Sequence, residues 1–579
     1  MQPATREVPG TPARTAPTRQ VVAAAILLLA LGGLGAVKAG LAGASFTLDL
    51  EQAQPALART APVIPDPHTP RLARRVFVVI VDGLRYDKSF ELPFLDELRR
   101  RGVDAEAESH YPTWSRPNYV SILAGVPPAA SGVRTNHHAT PVELDTLMDR
   151  ARAAGMKVAC ATDYDVLPKL FLRKRPPERR DDAAAADADD ALDIDAMEEP
   201  LSDAAVRAPD ANYLSPFDDA RYAPWPGGFS EAGAAIAQGD ADLVVMLVGA
   251  VDAAGHAHGG ASDDYRAAAE LSDHALARAL GHVDLAQDAI VVTADHGHTG
   301  RGGHGGVEPE VLDVPLILAG AGVKAGAQVD DAHLIDIAPT VAALLGMPAP
   351  GHGLGRTLTE VLALDPPALA ARTAADDVRL AANRSTLARA DAAADELVSA
   401  HRAERIVAIA GGALLAIGFA LLMIRRRVMR LDWHVLLVSV PAFSIVYYAT
   451  IGALGQRFSP SLVPAQGHIA VVMAKYGIAA MIVQLAASLW ALRHKGTFAE
   501  RLAAANGIAW MGLTLAMIPA GLAWAFYPPP YDSVPGPHAL VLIPAVEVAV
   551  ACAAVDVALT LVVEVIVFMA RAWQHESPL

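Results

Sequence analysis

Cysteine is almost absent: Cys160 and Cys552 are the only two among 579 residues. They lie far apart, and the second sits in an apolar run, which excludes a disulfide framework and a zinc site built on thiolates. Basic charge is also scarce. Lys and Arg number 47 against 63 Asp and Glu, a net charge of −16, so the chain has no basic footprint for a nucleic-acid partner. Aromatic residues make up only 6%. Aliphatic residues fill the space: 53% of the chain is hydrophobic and the mean hydropathy is +0.29. That excludes a disordered chain and is high for a wholly soluble one. Any metal chemistry has to draw on histidine and carboxylates.

The apolar residues are concentrated at the two ends. A run from Val21 to Gly43, broken only by Lys38, follows a tail carrying Arg6, Arg14 and Arg19. It is long enough to cross a bilayer as an anchor or to act as a signal peptide, with Ala42-Gly43-Ala44 as the cleavage site in the second case. Five further runs lie near 406–424, 434–455, 469–492, 503–527 and 539–570. The first linker between them holds Arg425, Arg426, Arg427 and Arg430, and the third holds Arg493, Lys495 and Arg501. The second and fourth have almost no Lys or Arg. The positive-inside rule therefore predicts six spans with both termini cytoplasmic and the block 44–404 outside. Glu547, Asp556 and Glu564 fall in the last run, where such carboxylates are expected to face other helices.

The implied organisation is a cytoplasmic tail (1–20), a membrane anchor or signal peptide (21–43), and a linker (44–72). An α/β catalytic domain (73–362) and a helical stalk (363–404) follow. A five-helix membrane domain (405–570) and a second cytoplasmic tail (571–579) complete it. Within the α/β block, Val76–Val81, Leu243–Val248 and Ile290–Thr293 are continuous β-branched runs, the pattern of buried parallel strands. Phe90–Arg101 and Asp263–Leu280 have helical amphipathicity, and the charge-dense stretch between Arg173 and Glu199 reads as a solvated insertion.

Each strand-like run ends in a carboxylate: Asp82, Asp252 and Asp295. Ligand sites of open α/β sheets lie beyond the carboxyl ends of the strands, so the three should converge. Histidines accompany them. Asp252 and His256 stand four apart in a glycine-containing turn, Asp295 and His296 are adjacent, and His352 sits in Gly351-His352-Gly353. Oxygen and imidazole donors suit zinc, manganese or iron. Six such groups exceed what one tetrahedral ion needs, so two divalent ions are the economical reading, arranged to clamp both oxygens of a phosphoryl transfer. Ser115 in Pro112-Thr113-Trp114-Ser115-Arg116-Pro117-Asn118 is a nucleophile candidate. His258, His298 and His304 are further histidines near the site, and His304 and Arg301 are candidates for substrate contact.

The strings Val81-Asp82-Gly83, Pro112 to Asn118 followed by Ser121-Ile122-Leu123-Ala124-Gly125, Asp252 to Gly259 and Thr293 to Gly297 occur in one order. Together they resemble the alkaline phosphatase superfamily in its type I phosphodiesterase/nucleotide pyrophosphatase branch, over about residues 73–362. The resemblance implies a mostly parallel sheet flanked by helices. It implies one divalent metal, expected to be Zn2+, held by Asp252, His256 and His352. A second would be held by Asp82, Asp295, His296 and the Ser115 hydroxyl. Ser115 would attack phosphorus to form a covalent phospho-enzyme, and Asn118 and nearby backbone N–H groups would hold the phosphoryl oxygens. Serine departs from the threonine usual in the nucleotide branch. Ser115-Arg116-Pro117 together with Asp295-His296-Gly297 and Gly303-His304-Gly305 is similar to ethanolamine-phosphate transferases acting on glycosylphosphatidylinositol lipids.

The expectation is a multi-pass cell-membrane phosphodiesterase or phosphotransferase with an extracytoplasmic (in a Gram-negative cell, periplasmic) catalytic domain and a lipid or nucleotide diester as substrate. A phosphomonoesterase of the same fold is one alternative. A transporter or lipid-binding bundle with an exported sensor domain is another. A sulfatase would need arginine where Tyr119 stands, and a phosphoglycerate mutase would be cytosolic.

Overall fold

A computed structural model describes residues 18–51, 55–175, 213–223, 227–453, 459–463, 469–529, 531 and 533–576. Most of the charge-dense insertion, Asp187 included, and most of the first tail lie outside the described residues.

The strands are β1 (Val76–Val81), β2 (Gly102–Glu108), β3 (Val158–Thr162), β4 (Arg173–Lys174), β5 (Tyr213–Leu214), β6 (Asp219–Tyr222), β7 (Leu243–Val248), β8 (Ala289–Thr293), β9 (Asp313–Gly320) and β10 (Ala332–His333). All but β4 and β5 join one eight-stranded sheet in the order β10-β2-β9-β8-β1-β7-β3-β6. It is mostly parallel, as the sequence implies. Only β9 runs against its neighbours, β2 and β8. The three β-branched runs are adjacent at the centre, with β1 paired in parallel to both β7 and β8. Every residue in these three strands is buried, because helices cover both faces. Full burial of each Val, Leu or Ile side chain contributes about 1.5–3 kcal/mol.

Flanking helices are pinned by polar contacts to this centre. The helix Asp263–Leu280 starts where the Ser262 hydroxyl accepts the N–H of Tyr265 (3.1 Å). The Tyr265 hydroxyl then donates to the Gly83 carbonyl at 2.6 Å, fastening the helix to the turn after β1. The helix expected from Phe90 begins at Pro93, after a short 3-10 turn Ser89–Glu91. Proline suits the first helical position, and Asp273 accepts the N–H groups of Phe94 and Leu95 there (2.9 and 3.0 Å).

Among the described residues, six helices are long and apolar enough to cross a membrane: Thr18–Phe46, Pro366–Arg425, Trp433–Ala453, Ile469–Leu492, Phe498–Phe526 and Pro537–Ala570. The second is one continuous helix of 60 residues. Its start is bolted to the α/β unit. Arg379 donates to the carbonyls of Gly353 and Gly355 (2.6 and 2.8 Å), and Asn383 to those of Gly351 and Gly353 (both 3.0 Å). Farther along, Leu414 and Leu415 are 70% and 77% exposed, a surface suited to lipid. Glu564 is fully buried against Arg501, with two hydrogen bonds of 2.7 and 2.8 Å. That satisfies the expectation that an intramembrane carboxylate faces another helix. Removing one partner from such a pair leaves a buried charge, at a cost of about 3–5 kcal/mol.

Candidate active site

The carboxyl ends of β1, β7 and β8 deliver Asp82, Asp252 and Asp295 to one crevice. Gly83 makes the convergence possible. Its φ is +75°, and a Cβ there would stand 2.8 Å from the Asp252 Cα. Its N–H donates to Asp295 Oδ1 at 3.1 Å. Asp252 and His256 lie in the helix Ala250–His258, where the sequence reading expected a turn. Gly255 serves packing: a Cβ at this position would stand 2.5 Å from the His298 ring.

Two sets of donor atoms result. In the first, Asp252 Oδ1, His256 Nε2 and His304 Nε2 are separated by 3.5, 3.1 and 3.5 Å. In the second, His296 Nε2 stands 3.4 Å from Asp82 Oδ1, 3.3 Å from Asp295 Oδ2 and 3.2 Å from Ser115 Oγ. Bonds of about 2.0–2.1 Å in tetrahedral geometry put ligand atoms about 3.3 Å apart, and both sets match. Asp82 Oδ1 and Asp295 Oδ2 are buried and have no hydrogen-bond partner. Unpaired carboxylate oxygens in a dry crevice are costly, and a cation between them removes the cost. The residues therefore fit two divalent ions.

The hydrogen bonds orient the imidazoles for that role. His304 Nδ1 faces the Thr113 carbonyl (2.7 Å) and His296 Nδ1 faces the Gly297 carbonyl (3.1 Å). A carbonyl only accepts, so both protons sit on Nδ1 and both Nε2 lone pairs point into the crevice. His298 is arranged differently. Its Nδ1 accepts the Gly303 N–H (3.1 Å), so Nε2 carries the proton and donates to Asp252 Oδ1 at 2.8 Å. His298 thus positions Asp252.

Electrostatics follow from burial and crowding. Burial, with Asp295 and Asp252 adding to it, raises the Asp82 carboxyl well above its usual range. Burial and then Asp252 push Asp295 up to about 7. Burial acts upward on Asp252 as well, but the neighbouring His256 and the hydrogen bond from His298 outweigh it and hold that carboxyl well below the ordinary value. Burial drives His296 down to about 3 and holds His304 well below its ordinary value, so both imidazoles are neutral, the form that binds metal. Tyr119 donates its phenol to Asp82 Oδ2.

Two residues implied by the resemblance are placed elsewhere. His352 is not brought to the crevice. Its Nδ1 accepts the Asp145 N–H (2.9 Å) and its Nε2 faces the Thr60 carbonyl (3.0 Å), so neither nitrogen has a lone pair to spare. His304 takes the third place in the first set. Its sequence signal is Gly303-His304-Gly305, a glycine-flanked histidine like that at 352 but close behind Asp295-His296. Asn118 does not reach the site either. Its amide donates to the carbonyls of His110, Pro112 and Trp114 (3.0, 3.2 and 3.2 Å) and accepts the His110 N–H (3.2 Å). It braces the loop that presents Ser115. The neighbouring backbone N–H of Arg116 is taken by Asn136 Oδ1 (3.0 Å), and the Arg116 guanidinium donates to the His138 carbonyl (2.8 Å). Arg301 and His258 are exposed.

Ser115 opens the helix Ser115–Ala124, whose N-terminal dipole favours negative charge. Trp114, just before it, is buried with Phe46, Leu50, Tyr531, Leu540 and Ile543 from the first and last membrane helices and the loop preceding the last. The Tyr111 hydroxyl donates to the Pro535 carbonyl at 2.6 Å. The crevice therefore lies against the end of the membrane bundle.

Residues 76–305 match the family model of type I phosphodiesterase / nucleotide pyrophosphatase. A human protein named GPI ethanolamine phosphate transferase 1 is 26% identical over 323 residues, covering 49% of this chain and 32% of its own length. The chain thus spans about a third of the length of the curated relatives it matches first. A 2,3-bisphosphoglycerate-independent phosphoglycerate mutase from Cereibacter sphaeroides is 36% identical over 131 residues, 21% of this chain and 24% of the other. Among solved structures, murine ectonucleotide pyrophosphatase / phosphodiesterase 5 is 12% identical with a TM-score of 0.35, covering 48% of this chain and 96% of the other.

Proposed function

We propose, on the premise that residues 76–305 match the type I phosphodiesterase / nucleotide pyrophosphatase family model, that the chain is a membrane-anchored, metal-dependent phosphodiesterase or phosphotransferase. Its catalytic domain faces the extracytoplasmic side, and its substrate is a phosphodiester at the bilayer surface. The observation that carries the reading is the pair of donor sets around Ser115, with spacings of 3.1–3.5 Å. Asp252, His256 and His304 would hold one divalent ion; Asp82, Asp295, His296 and Ser115 would hold the other, with zinc the best match to this donor set. Bound there, the ions would neutralise the phosphate and lower the pKa of the serine hydroxyl.

The chain's own residues do the rest. Ser115 Oγ forms the bond to phosphorus as the leaving-group oxygen departs with a proton. Water or an acceptor alcohol then attacks the phosphoserine and restores the hydroxyl. The helix N-terminus favours the charge gathered at Ser115, and Asn118 keeps the loop in register. The relatives named for ethanolamine phosphate transfer support group transfer to an alcohol as well as hydrolysis. The Arg116 guanidinium points one N–H at the His138 carbonyl, and an arginine engaged with its own loop supports the diester reading.

The test is a panel of aryl phosphodiesters, aryl phosphomonoesters and phosphatidylethanolamine vesicles presented to the purified full chain. Diesters should be preferred, and exhaustive chelation should abolish turnover until zinc is restored. Full activity after chelation, or a clear monoester preference, overturns the reading. Orientation is tested separately. From the loop charges, a reporter fused after Leu579 should be cytoplasmic and one inserted near Asp187 exported; both on one side would defeat it.

A further inference from the structure

The segment that carries His304 has little regular structure of its own. Gly302, Gly303 and Gly305 all adopt positive φ, at +96°, +91° and +114°, so the backbone there is irregular and permissive. A ligand on such a segment needs its position set from outside. Part of the support comes from within the catalytic domain. The Gly305 N–H donates to Thr113 Oγ1 (2.8 Å), and that hydroxyl donates to the Gly306 carbonyl (3.0 Å).

The rest comes from the membrane domain. The linker between the membrane helices Trp433–Ala453 and Ile469–Leu492 contains a short turn, Pro460–Leu462. Ser461, 1% exposed, accepts the Gly306 N–H at 2.7 Å and donates to Glu308 Oε2 at 2.6 Å. Ser459 donates to the other oxygen of the same carboxylate. The Ser461 carbonyl also lies so close to Gly303 that a Cβ at 303 would collide with it. The two hydroxyls and Glu308 thus form a clamp on both sides of His304, and hydrogen bonds to a carboxylate are among the stronger ones.

We infer that Ser461, Ser459 and Glu308 are positioning residues through which the membrane domain sets the affinity of the metal site containing His304. The inference rests on the two-ion reading above. It gives the membrane bundle a part in catalysis beyond anchoring: the catalytic domain without this linker would hold one of its ions loosely.

The experiment is a zinc titration of the full-length protein in detergent, by competition with a chromophoric chelator. Groups that orient a ligand typically govern metal affinity by roughly 10–100-fold, so Ser461→Ala should weaken one of the two zinc equivalents by that factor and leave the other unchanged. Added zinc should restore its kcat. Glu308→Gln, which keeps one acceptor oxygen, should show a smaller weakening of the same equivalent, and it decides the matter if Ser461→Ala does not fold. Wild-type affinity for both ions in these variants overturns the inference while the two-ion reading stands, as does a loss of kcat that excess zinc fails to restore. A wild-type protein that binds no zinc overturns both.

Discussion

Replacing Ser115 with alanine should lower turnover at least about a thousandfold, about 4 kcal/mol of transition-state stabilisation, with both zinc equivalents retained. The size follows from the place of the hydroxyl. Ser115 Oγ stands 3.2 Å from His296 Nε2, inside the donor set completed by Asp82 and Asp295, and at the head of a helix. Alanine removes the atom that bonds to phosphorus and leaves no other hydroxyl in that set. The three remaining donors, two of them carboxylates with otherwise unpaired oxygens, would still hold a cation. Wild-type protein quenched during turnover should carry phosphate or a phosphodiester on Ser115. An alanine variant retaining a tenth of wild-type turnover would show that the nucleophile lies elsewhere.

A comparison of two histidines carries the second large effect. His304→Ala should lose one zinc equivalent and at least about a hundredfold in turnover, roughly 2.7 kcal/mol. His352→Ala should keep both equivalents and most of its activity. The contrast comes from where the nitrogens point. His304 commits Nδ1 to a carbonyl and offers Nε2 at 3.1 Å from His256 Nε2 and 3.5 Å from Asp252 Oδ1. His352 has both nitrogens engaged with backbone groups; losing them costs stability of about 1 kcal/mol per hydrogen bond, without touching a metal. The reverse pattern of zinc content would return His352 to the first donor set and remove His304 from it.

The centre of the sheet was legible because β1, β7 and β8 are buried on both faces and so are written as unbroken β-branched runs. β2 was not, because its string Gly-Val-Asp-Ala-Glu-Ala-Glu alternates and exposes Glu106 and Glu108 on one face. β9 carries a proline within Asp-Val-Pro-Leu-Ile-Leu-Ala-Gly, which argues against a strand when read alone. At the site, carboxylates closing strands could be found from position along the chain. The choice between His304 and His352 could not. Both sit between glycines, and only the folded chain reveals which one turns Nε2 toward Asp252 and His256. Asn118 misled for a related reason: an amide beside a nucleophile invites a substrate role, yet its hydrogen bonds close on its own loop.

The 60-residue helix from Pro366 to Arg425 has a consequence of its own. It is about 90 Å long, and each residue added to it turns what it carries by about 100° and advances it by about 1.5 Å. Arg379 and Asn383 key one end to the catalytic domain, and the far end is keyed to the bilayer. The Ser461 contact closes the circuit between them. A shaft fixed at both ends has a phase. Its exposed alanine-rich middle is free to change composition, but a single inserted residue would swing the crevice away from the bundle, and even two whole turns would lift it about 10 Å off its seat. Length in this segment is therefore a setting with one working value.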